Sequence, residues 1–462
     1  VQLIDDKYDA LAKSNIMRSE VEYPMRGEVL DRRGEFLVKS RVCYDVMVVT
    51  DNIPKTGFDT VRLASILEIT PEKLAKQLDK ADNSPHAPFL VVGYLSQDAK
   101  LLLDEEGFDG FYTRFRTARE YPRKIGGNLL GYVGEGNPSQ LKRWSHYDAG
   151  DYIGVGGIES AYETELRGEK GVSYRIYDTH GAVMGEYDDG ALDILPVKGK
   201  QIVSTIDGRL QEFAEELMQD KVGAVVAIEP STGEILVMVS SPTYNPDLLV
   251  GRQRGNSYME LLHNQRTPLY NRAVMAKFPP GSTFKLASML ALVEDLGLPI
   301  TTEYDTHNGR MVRISGADVQ DDHPIGGMID MRTAFAQSSN VYFASAIYDH
   351  YKENPRRYVE FLSNNLHLDR TVGLDAMGEK QSNLGDYKKG GKAYWNAHVL
   401  PNMGYGYTIE ISPVQTLTLY NAVANDGKLI QPVLVKRIEE DGEVLEEFST
   451  EVVNPAICSP ES

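Results

Sequence analysis

A serine and a lysine three residues apart open an apolar segment and have the types and spacing of an acyl-transfer site. Ser282 and Lys285 lie in the string PPGSTFK, and the run from 282 to 293 is mostly apolar until Gly297 and Pro299 close it. This pattern predicts a buried helix with Ser282 at its N-terminus. Free backbone N–H groups and the helix dipole there stabilise the oxyanion that forms when a serine attacks a carbonyl, so we expect Ser282 to be a nucleophile.

Lys285 lies one helical turn after Ser282, about 4.5 Å further along the axis, so its amine can reach the serine hydroxyl. Only the neutral amine can take the serine proton, which requires a pKa about three units below the ordinary value of a lysine. Burial among apolar side chains lowers a lysine pKa in this way. We expect Lys285 to act as the base, although the acylation base of SxxK enzymes is disputed.

The string SSN at 338–340 lies between two helical patterns, 331–336 and 341–351, and is therefore expected on a short loop. There Ser338 can relay a proton to a leaving amine. Asn340 can hold a substrate amide through its donor and its acceptor. The ordered pair of SxxK and SxN predicts a serine acyltransferase.

Each of the two motifs alone also has a purely structural interpretation. Ser282 and Asn340 are suitable helix caps, and Lys285 is a suitable solvated side chain. The proline-glycine approach and the apolar helix behind Ser282 favour the catalytic interpretation.

Motifs elsewhere in the chain carry a resemblance to a known family. They are RGEVLDRRG at 26–34, REYP at 119–122, LGYVG at 130–134 and a spaced set of glycines with Glu159 and Tyr162 between 154 and 171. Together with SxxK and SxN, and in this order, they resemble the class B penicillin-binding proteins over almost the whole chain. The segment 225–285 is similar to elongation-type members, whereas 338–344 and 403–428 are similar to division-type members.

The charged residues of these motifs are interpreted as structural. We expect Arg26, Asp31, Arg32 and Glu159 to form a buried charged network between strands.

The resemblance implies an α+β fold with two domains. An elongated N-terminal pedestal, similar to a dimerisation domain, is expected over 1–198. A transpeptidase domain over 199–462 is expected to contain a central antiparallel sheet covered by helices. The residues agree, because 209–218 is helical in pattern and 223–229 and 234–240 form a hairpin around the turn PSTG.

The resemblance also implies an activity, peptidoglycan D,D-transpeptidation. Ser282 attacks the penultimate D-Ala carbonyl of a stem pentapeptide, releases the last D-Ala, and passes the acyl group to an amine of a neighbouring stem. β-Lactams trap the same serine. The implied partners are stem peptides, β-lactams, and a membrane glycan polymerase with other cell-wall synthesis proteins bound through the pedestal, in elongation or septal synthesis; no cofactor is implied.

The same resemblance implies a location. Members of the family have a single N-terminal anchor in the inner membrane and a periplasmic catalytic domain, and the resemblance implies the same here. Because the chain begins at Val1 and contains no apolar run of about 18 residues, we expect the anchor to be absent from this sequence.

Two alternatives remain open. A β-lactamase or D,D-carboxypeptidase shares the serine chemistry but passes the acyl group to water, and the large N-terminal part disfavours it. A non-catalytic scaffold that binds β-lactams would keep the fold and use residues 1–198 to bind partners.

One family motif is missing. No K-[ST]-G triplet follows Asn340, and the triplet at 55–57 is interpreted as a surface turn. The lysine-glycine string at 388–392 is interpreted as a solvated loop. Because the family uses this triplet to bind the substrate carboxylate, we expect the polypeptide as given to be catalytically impaired.

The composition bears on three further classes of feature, namely nucleic-acid binding, disulfides and metal sites. With 67 acidic and 48 basic residues the net charge is −19, which argues against a nucleic-acid partner. Cys43 and Cys458 lack metal-ligand spacing and are interpreted as incidental, with a disulfide between them as the alternative. The string at 321–323, Asp-Asp-His, is interpreted as a solvated turn rather than a metal site.

Overall fold

The structure, a computed structural model, describes residues 17–148, 150–177, 183–375, 378–385 and 398–460. The strands in these ranges are β1 (Met17–Glu22), β2 (Val29–Leu30), β3 (Phe36–Val48), β4 (Phe89–Leu95), β5 (Phe111–Glu120), β6 (Tyr132–Glu135), β7 (Tyr152–Val155), β8 (Gly171–Tyr177), β9 (Val183–Glu186), β10 (Gln201–Ser204), β11 (Gly223–Ile228), β12 (Ile235–Ser241), β13 (Glu303–Asp305), β14 (Val312–Ile314), β15 (Ala317–Val319), β16 (Met328–Asp330), β17 (Leu429–Ile430), β18 (Val435–Glu440), β19 (Glu443–Glu447) and β20 (Val452–Asn454).

The α-helices in the same ranges are α1 (Thr60–Ile66), α2 (Pro71–Ala81), α3 (Gln97–Glu106), α4 (Gly127–Leu130), α5 (Pro138–Arg143), α6 (Gly157–Ala161), α7 (Glu163–Leu166), α8 (Gly208–Leu217), α9 (Arg254–His263), α10 (Lys285–Leu290), α11 (Met331–Ala336), α12 (Asn340–Tyr351), α13 (Pro355–Asn364), α14 (Val399–Met403) and α15 (Pro413–Ala424). Side-chain caps begin many of them. Thr70 accepts from the backbone N–H of Lys73 at α2, and Ser412 forms a capping box with Gln415 at α15.

A mixed sheet joins the N-terminal and C-terminal parts of the chain. Its strand order is β19-β18-β10-β2-β3-β4, and β5 also pairs with β3. β10 runs parallel to β2 and antiparallel to β18, so a single strand is hydrogen-bonded to both parts. The apolar face of β3 packs on α1 and α2 through Val46, Val48, Leu63 and Leu74. Each such buried side chain stabilises the fold by about 1.5–3 kcal/mol.

A buried ion network ties the entry of β2 to α6 and α7. Arg26 donates from Nε to Glu159 at 2.7 Å and from Nη2 to Glu163 at 2.5 Å, and Arg119 Nε lies 2.7 Å from the second oxygen of Glu159. Glu159 is fully buried. Burial alone would raise the pKa of Glu159, but Arg119 and Arg26 outweigh that effect and hold the pKa below its ordinary value.

Two residues predicted for this network lie outside it, so that part of the prediction is wrong. Asp31 is buried but accepts from the backbone N–H groups of Arg33 and Glu35 at 2.8 and 2.9 Å, which closes a turn. Arg32 pairs with the partly exposed Glu234 at 2.9 Å. The turn after β2 points these two side chains away from Arg26, and a linear motif does not show that reversal.

The C-terminal part contains the predicted hairpin. β11 and β12 pair antiparallel from Gly223 opposite Ser241 to Ile228 opposite Ile235, and they form a two-stranded sheet in the described chain. α8 packs on β12 and α15 contacts β11, so helices cover the hairpin. The mixture of antiparallel strands and helices is the α+β organisation expected from the sequence.

The predicted boundary between 198 and 199 falls just before β10 and stays a prediction. Cys43 and Cys458 are both buried free thiols. None of the helices in the described ranges combines the length and the apolarity that a bilayer crossing needs.

Candidate active site

Ser282 lies in a 3-10 turn, Gly281–Phe284, that leads directly into α10. The predicted helix is therefore present, with its first turn tightened and its last turn, Ala291–Asp295, a π-helical one. Phe284 is fully buried beneath the turn. Tyr420 of α15 donates to the carbonyl of Thr283 at 3.0 Å, so the turn is held from outside as well.

A glycine pair fixes the approach to the nucleophile. The backbone N–H of Gly281 donates to the carbonyl of Gly406 at 3.0 Å. Gly406 has φ +87°, and a Cβ there would lie 2.0 Å from the carbonyl oxygen of Gly281. No side chain fits at this position, so the chain that follows α14 packs directly against the turn of Ser282.

Lys285 brings the four predicted site residues together. It is 1% exposed. Its Nζ lies 3.1 Å from Ser282 Oγ, 3.0 Å from Ser338 Oγ, 2.6 Å from the carbonyl oxygen of Ser338 and 2.7 Å from Asn340 Oδ1. The amine therefore lies between the nucleophile and the SxN motif.

The number of hydrogens on Nζ limits what these contacts can be. An ammonium group has three hydrogens, whereas four oxygens surround Nζ. The carbonyl of Ser338 and the amide oxygen of Asn340 can only accept, so they take two hydrogens. In the neutral amine these are the only two, and the lone pair is left for a hydroxyl proton. Ser282 Oγ is one of the two hydroxyls within reach.

The neutral form is accessible near physiological pH. Burial lowers the pKa of Lys285 to about 8, and the carboxylates of Asp321 and Asp322 oppose that shift only in part. The pKa is lowered, which is the direction that a base at position 285 requires. A pKa near the working pH is the condition under which a general base is efficient.

Ser338 and Ser339 lie in the turn between α11 and α12, as predicted, whereas Asn340 is the first residue of α12. Ser338 has φ 56°, a left-handed conformation that is strained for a residue with a side chain. This turn directs both the carbonyl and the hydroxyl of Ser338 at Lys285. Ser339 caps α12 by accepting from the backbone N–H of Tyr342 at 3.0 Å.

Asn340 is already engaged at both ends of its amide. Oδ1 accepts from Lys285, and Nδ2 donates to the carbonyl of Gln320 at 3.0 Å. An amide has a second N–H and a second lone pair, and these are the groups that a substrate amide would use.

Asp321 supports this motif, and the sequence analysis missed it. The residue is buried, not solvated, so the prediction of a solvated turn is wrong for it. Its Oδ1 accepts from the backbone N–H of Asn340 at 2.6 Å and of Val341 at 3.0 Å, and its Oδ2 accepts from Ser339 Oγ at 3.0 Å. The first turn of α12 is therefore capped by a residue on another segment, which no local spacing signals.

Other predicted features lie away from the site. The triplet at 55–57 is an exposed turn, and 388–392 lies outside the described residues. Within the ranges that the structure describes, no group of three or more His, Cys, Asp or Glu side chains is placed to hold a metal ion.

Comparison with known proteins identifies the family of this chain. The family model "Penicillin binding protein transpeptidase domain" matches residues 223–459, just over half of the chain, and "Penicillin-binding Protein dimerisation domain" matches 21–204. The peptidoglycan D,D-transpeptidase MrdA of Salmonella typhimurium is 26% identical over 472 residues, which cover 98% of this chain and 74% of the relative.

Two solved structures have the same fold. The complex of penicillin-binding protein PBP2 with MreC from Helicobacter pylori contains a chain that superimposes with a TM-score of 0.74 at 23% identity, covering 93% of this chain and 80% of that one. A chain of a peptidoglycan synthase complex, described as coordinating polymerisation and crosslinking, gives a TM-score of 0.71 at 25% identity, covering 95% and 75%. The expected pairing of a pedestal with a transpeptidase domain is confirmed by these matches. The chain therefore belongs to the penicillin-binding protein transpeptidase family, as a class B member in which a dimerisation domain precedes the transpeptidase domain.

Proposed function

We propose that this protein is a peptidoglycan D,D-transpeptidase that cross-links stem peptides through an acyl-enzyme on Ser282. The observation that carries the proposal is the position of the Lys285 amine, 3.1 Å from Ser282 Oγ and 3.0 Å from Ser338 Oγ. One buried base thus reaches both the nucleophile and a second hydroxyl. The relative in Salmonella typhimurium is named for this activity.

The first half-reaction follows from these contacts. Neutral Lys285 takes the proton of Ser282 as Oγ bonds to the penultimate D-Ala carbonyl carbon. When the tetrahedral intermediate collapses, the C–N bond to the last D-Ala breaks. The leaving nitrogen needs a proton, and Ser338 donates its own to that nitrogen while it recovers one from Lys285. An ester on Ser282 results, and Lys285 is neutral again.

The second half-reaction reverses the proton path. An amine of a neighbouring stem attacks the ester carbonyl, and its proton passes through Ser338 and Lys285 to Ser282 Oγ as the ester bond breaks. Asn340 holds the donor amide with its remaining N–H and lone pair during both steps.

We extend the proposal to the domains, the partners and the location of the protein. Residues 1–198 form the pedestal and 199–462 the transpeptidase domain, and the function is in cell elongation. The pedestal binds a membrane glycan polymerase and other cell-wall synthesis proteins, which the solved PBP2–MreC complex and the peptidoglycan synthase complex support by analogy. A single N-terminal anchor holds the catalytic domain on the periplasmic side of the inner membrane.

A covalent labelling experiment tests the function. We expect a fluorescent penicillin to add one molecule to the full chain, and peptide mass spectrometry to place it on Ser282. A label that persists for many minutes supports a transpeptidase, whereas rapid loss of the label supports a hydrolase. Reversible binding of the penicillin without any adduct would favour the non-catalytic scaffold that binds β-lactams. The acylation rate also tests whether the missing K-[ST]-G triplet impairs the chemistry.

Replacing Asp321 with alanine is expected to weaken the site without touching a reacting atom. Loss of the carboxylate leaves the N–H groups of Asn340 and Val341 without their acceptor, which costs about 1–3 kcal/mol. If about 1.4 kcal/mol of this cost reaches the transition state, penicillin acylation slows about tenfold. Asp322→Ala is the matched control, because it removes the neighbouring charge from an exposed residue. Equal acylation rates in the two variants would contradict the positioning role of Asp321.

A further inference from the structure

A cavity of about 360 Å³ lies in the N-terminal part, and none of the four site residues lines it. β5, the segment that enters β2, and the loop between α5 and β7 form its walls, while Leu249 and Val250 reach it from the C-terminal part. The volume is in the range of small-molecule binding sites. The proposed transpeptidation does not use this cavity.

One wall contains buried guanidinium nitrogens without a partner. Arg119 is 5% exposed, and its Nη1 donates to the carbonyl of Gly27 at 2.6 Å and to Ser40 Oγ at 2.8 Å. Among the residues that the structure describes, its buried Nη2 has no hydrogen-bond partner, and neither has the buried Nε of Arg167. Because buried N–H groups in folded proteins are nearly always paired, these two donors can take an acceptor that the described residues do not supply.

The charge balance favours an anion. The cations that line the cavity are Arg26, Arg114, Arg116, Arg119, Arg167 and Lys170. The buried carboxylates that face or contact them are Asp45, Asp151, Glu159 and Glu163. Arg114 is itself 48% exposed, so among the mostly buried groups five cations face four carboxylates, which leaves an excess of one positive charge. Glu169 and Asp148 also pair with this set, but they are 61% and 87% exposed, so solvent screens them.

Aromatic rings cover a second part of the wall. The guanidinium of Arg116 lies 5.1 Å from the ring centre of Tyr94 and 5.2 Å from that of Tyr152. Tyr94, the residue before the last in β4, has φ 59°, a strained conformation that its surroundings must enforce. The strain fixes one wall of the cavity. Tyr23 and Tyr147 add two further rings, so a flat group has surfaces to pack on.

We propose that this cavity is a binding site for a small organic molecule that carries a carboxylate or a phosphate beside a ring. The oxyanion accepts from Arg119 and Arg167, because planar guanidinium groups match both carboxylate and phosphate geometry. The ring packs on Tyr94 and its neighbours.

Fluorine NMR of three probes tests the site in the full chain. The probes are 4-fluorobenzoate, 4-fluorophenyl phosphate and the neutral 4-fluorobenzamide. We expect concentration-dependent line broadening with at least one anion and none with the amide at the same concentration. The anion with the lower Kd identifies the oxyanion. Equal broadening by the amide, or no broadening by either anion, would overturn the proposal.

Two variants locate the binding. Arg167→Met is expected to weaken binding of the preferred anion about tenfold, because it removes a charge-assisted contact. Arg114→Met is expected to weaken it by a smaller factor, because it removes a half-exposed positive charge that lines the cavity. Arg114 is 48% exposed and its contact with Asp45 is long, at 3.4 Å, whereas Arg116 pairs with the same carboxylate at 2.7 Å, so loss of Arg114 leaves the fold intact. Arg313→Met, at a 75% exposed arginine outside the cavity, is the control. Unchanged affinity in both cavity variants would place the anion elsewhere and refute the site.

Discussion

Replacing Lys285 with methionine is expected to slow penicillin acylation of Ser282 by about 10²- to 10⁴-fold, the contribution of a positioned general base. Methionine keeps an unbranched apolar side chain in the buried space, so α10 should remain in place. What is lost is the amine that contacts the hydroxyl of Ser282 and both the hydroxyl and the carbonyl of Ser338. Stopped-flow fluorescence with a labelled penicillin measures the rate.

The pH dependence separates a base from a merely structural lysine. Because burial lowers the pKa of Lys285 to about 8, the neutral fraction is roughly one tenth at pH 7 and one half at pH 8. Acylation by the unmodified protein should therefore rise as pH increases through 8 and level off above it. The methionine variant should show no such rise. Lys352→Met, at an exposed lysine, should behave as the unmodified protein does. A rise centred near pH 8 that survives in Lys285→Met would exclude Lys285 as the titrating base.

Replacing Glu159 with leucine is expected to lower the free energy of unfolding by about 3–5 kcal/mol. The substitution leaves the guanidinium groups of Arg26 and Arg119 facing an apolar side chain in a buried site. Removing one partner of a buried ion network is costly for that reason. Urea denaturation followed by circular dichroism measures the change in midpoint.

Glu169→Leu provides the comparison for this prediction. Glu169 also pairs with an arginine, Arg167, but it is 61% exposed, and an exposed ion pair contributes only about 0–1 kcal/mol.

The contribution of Glu159 to stability depends on pH with a defined sign. Because the pKa of Glu159 is lowered on folding, its contribution is complete above the ordinary range of a glutamate and is lost as pH falls through the folded value. A Glu159→Leu protein as stable as Glu169→Leu would show that the network does not stabilise the fold.

The sequence predicted the parts of the site that depend on local spacing. Ser282 and Lys285 share one helical turn, and Ser338 and Asn340 lie two residues apart where the loop enters α12, so their types and intervals were sufficient. Asp321 was not predictable in this way, because it reaches α12 from a separate segment and only the folded chain brings them together. The roles of the four site residues stay predictions until the kinetics are measured.

The difference between local spacing and contacts made only in the folded chain also explains which predictions for the N-terminal part were correct. Arg26 and Glu159 were correctly assigned to one buried network, because motif charges in an apolar setting must find partners. Asp31 and Arg32 were wrongly included, since the direction of a side chain after a tight turn depends on φ and ψ rather than on composition. The cavity beside Arg119 gave no sequence signal at all. Its walls come from widely separated segments.

The strand β10 has a practical consequence for anyone who wishes to study the two halves separately. A cut at the predicted boundary of 198 would remove β10, the parallel neighbour of β2, and leave a short, exposed strand edge on the N-terminal fragment, where β2 would pair with β3 alone. The complementary fragment would keep β10 but lose its parallel partner and part of a shared apolar core that includes Val29, Leu37, Ile202 and Val435. Each piece would offer unpaired backbone and apolar surface to other chains, so self-association rather than two independent soluble domains is the expected product of the cut.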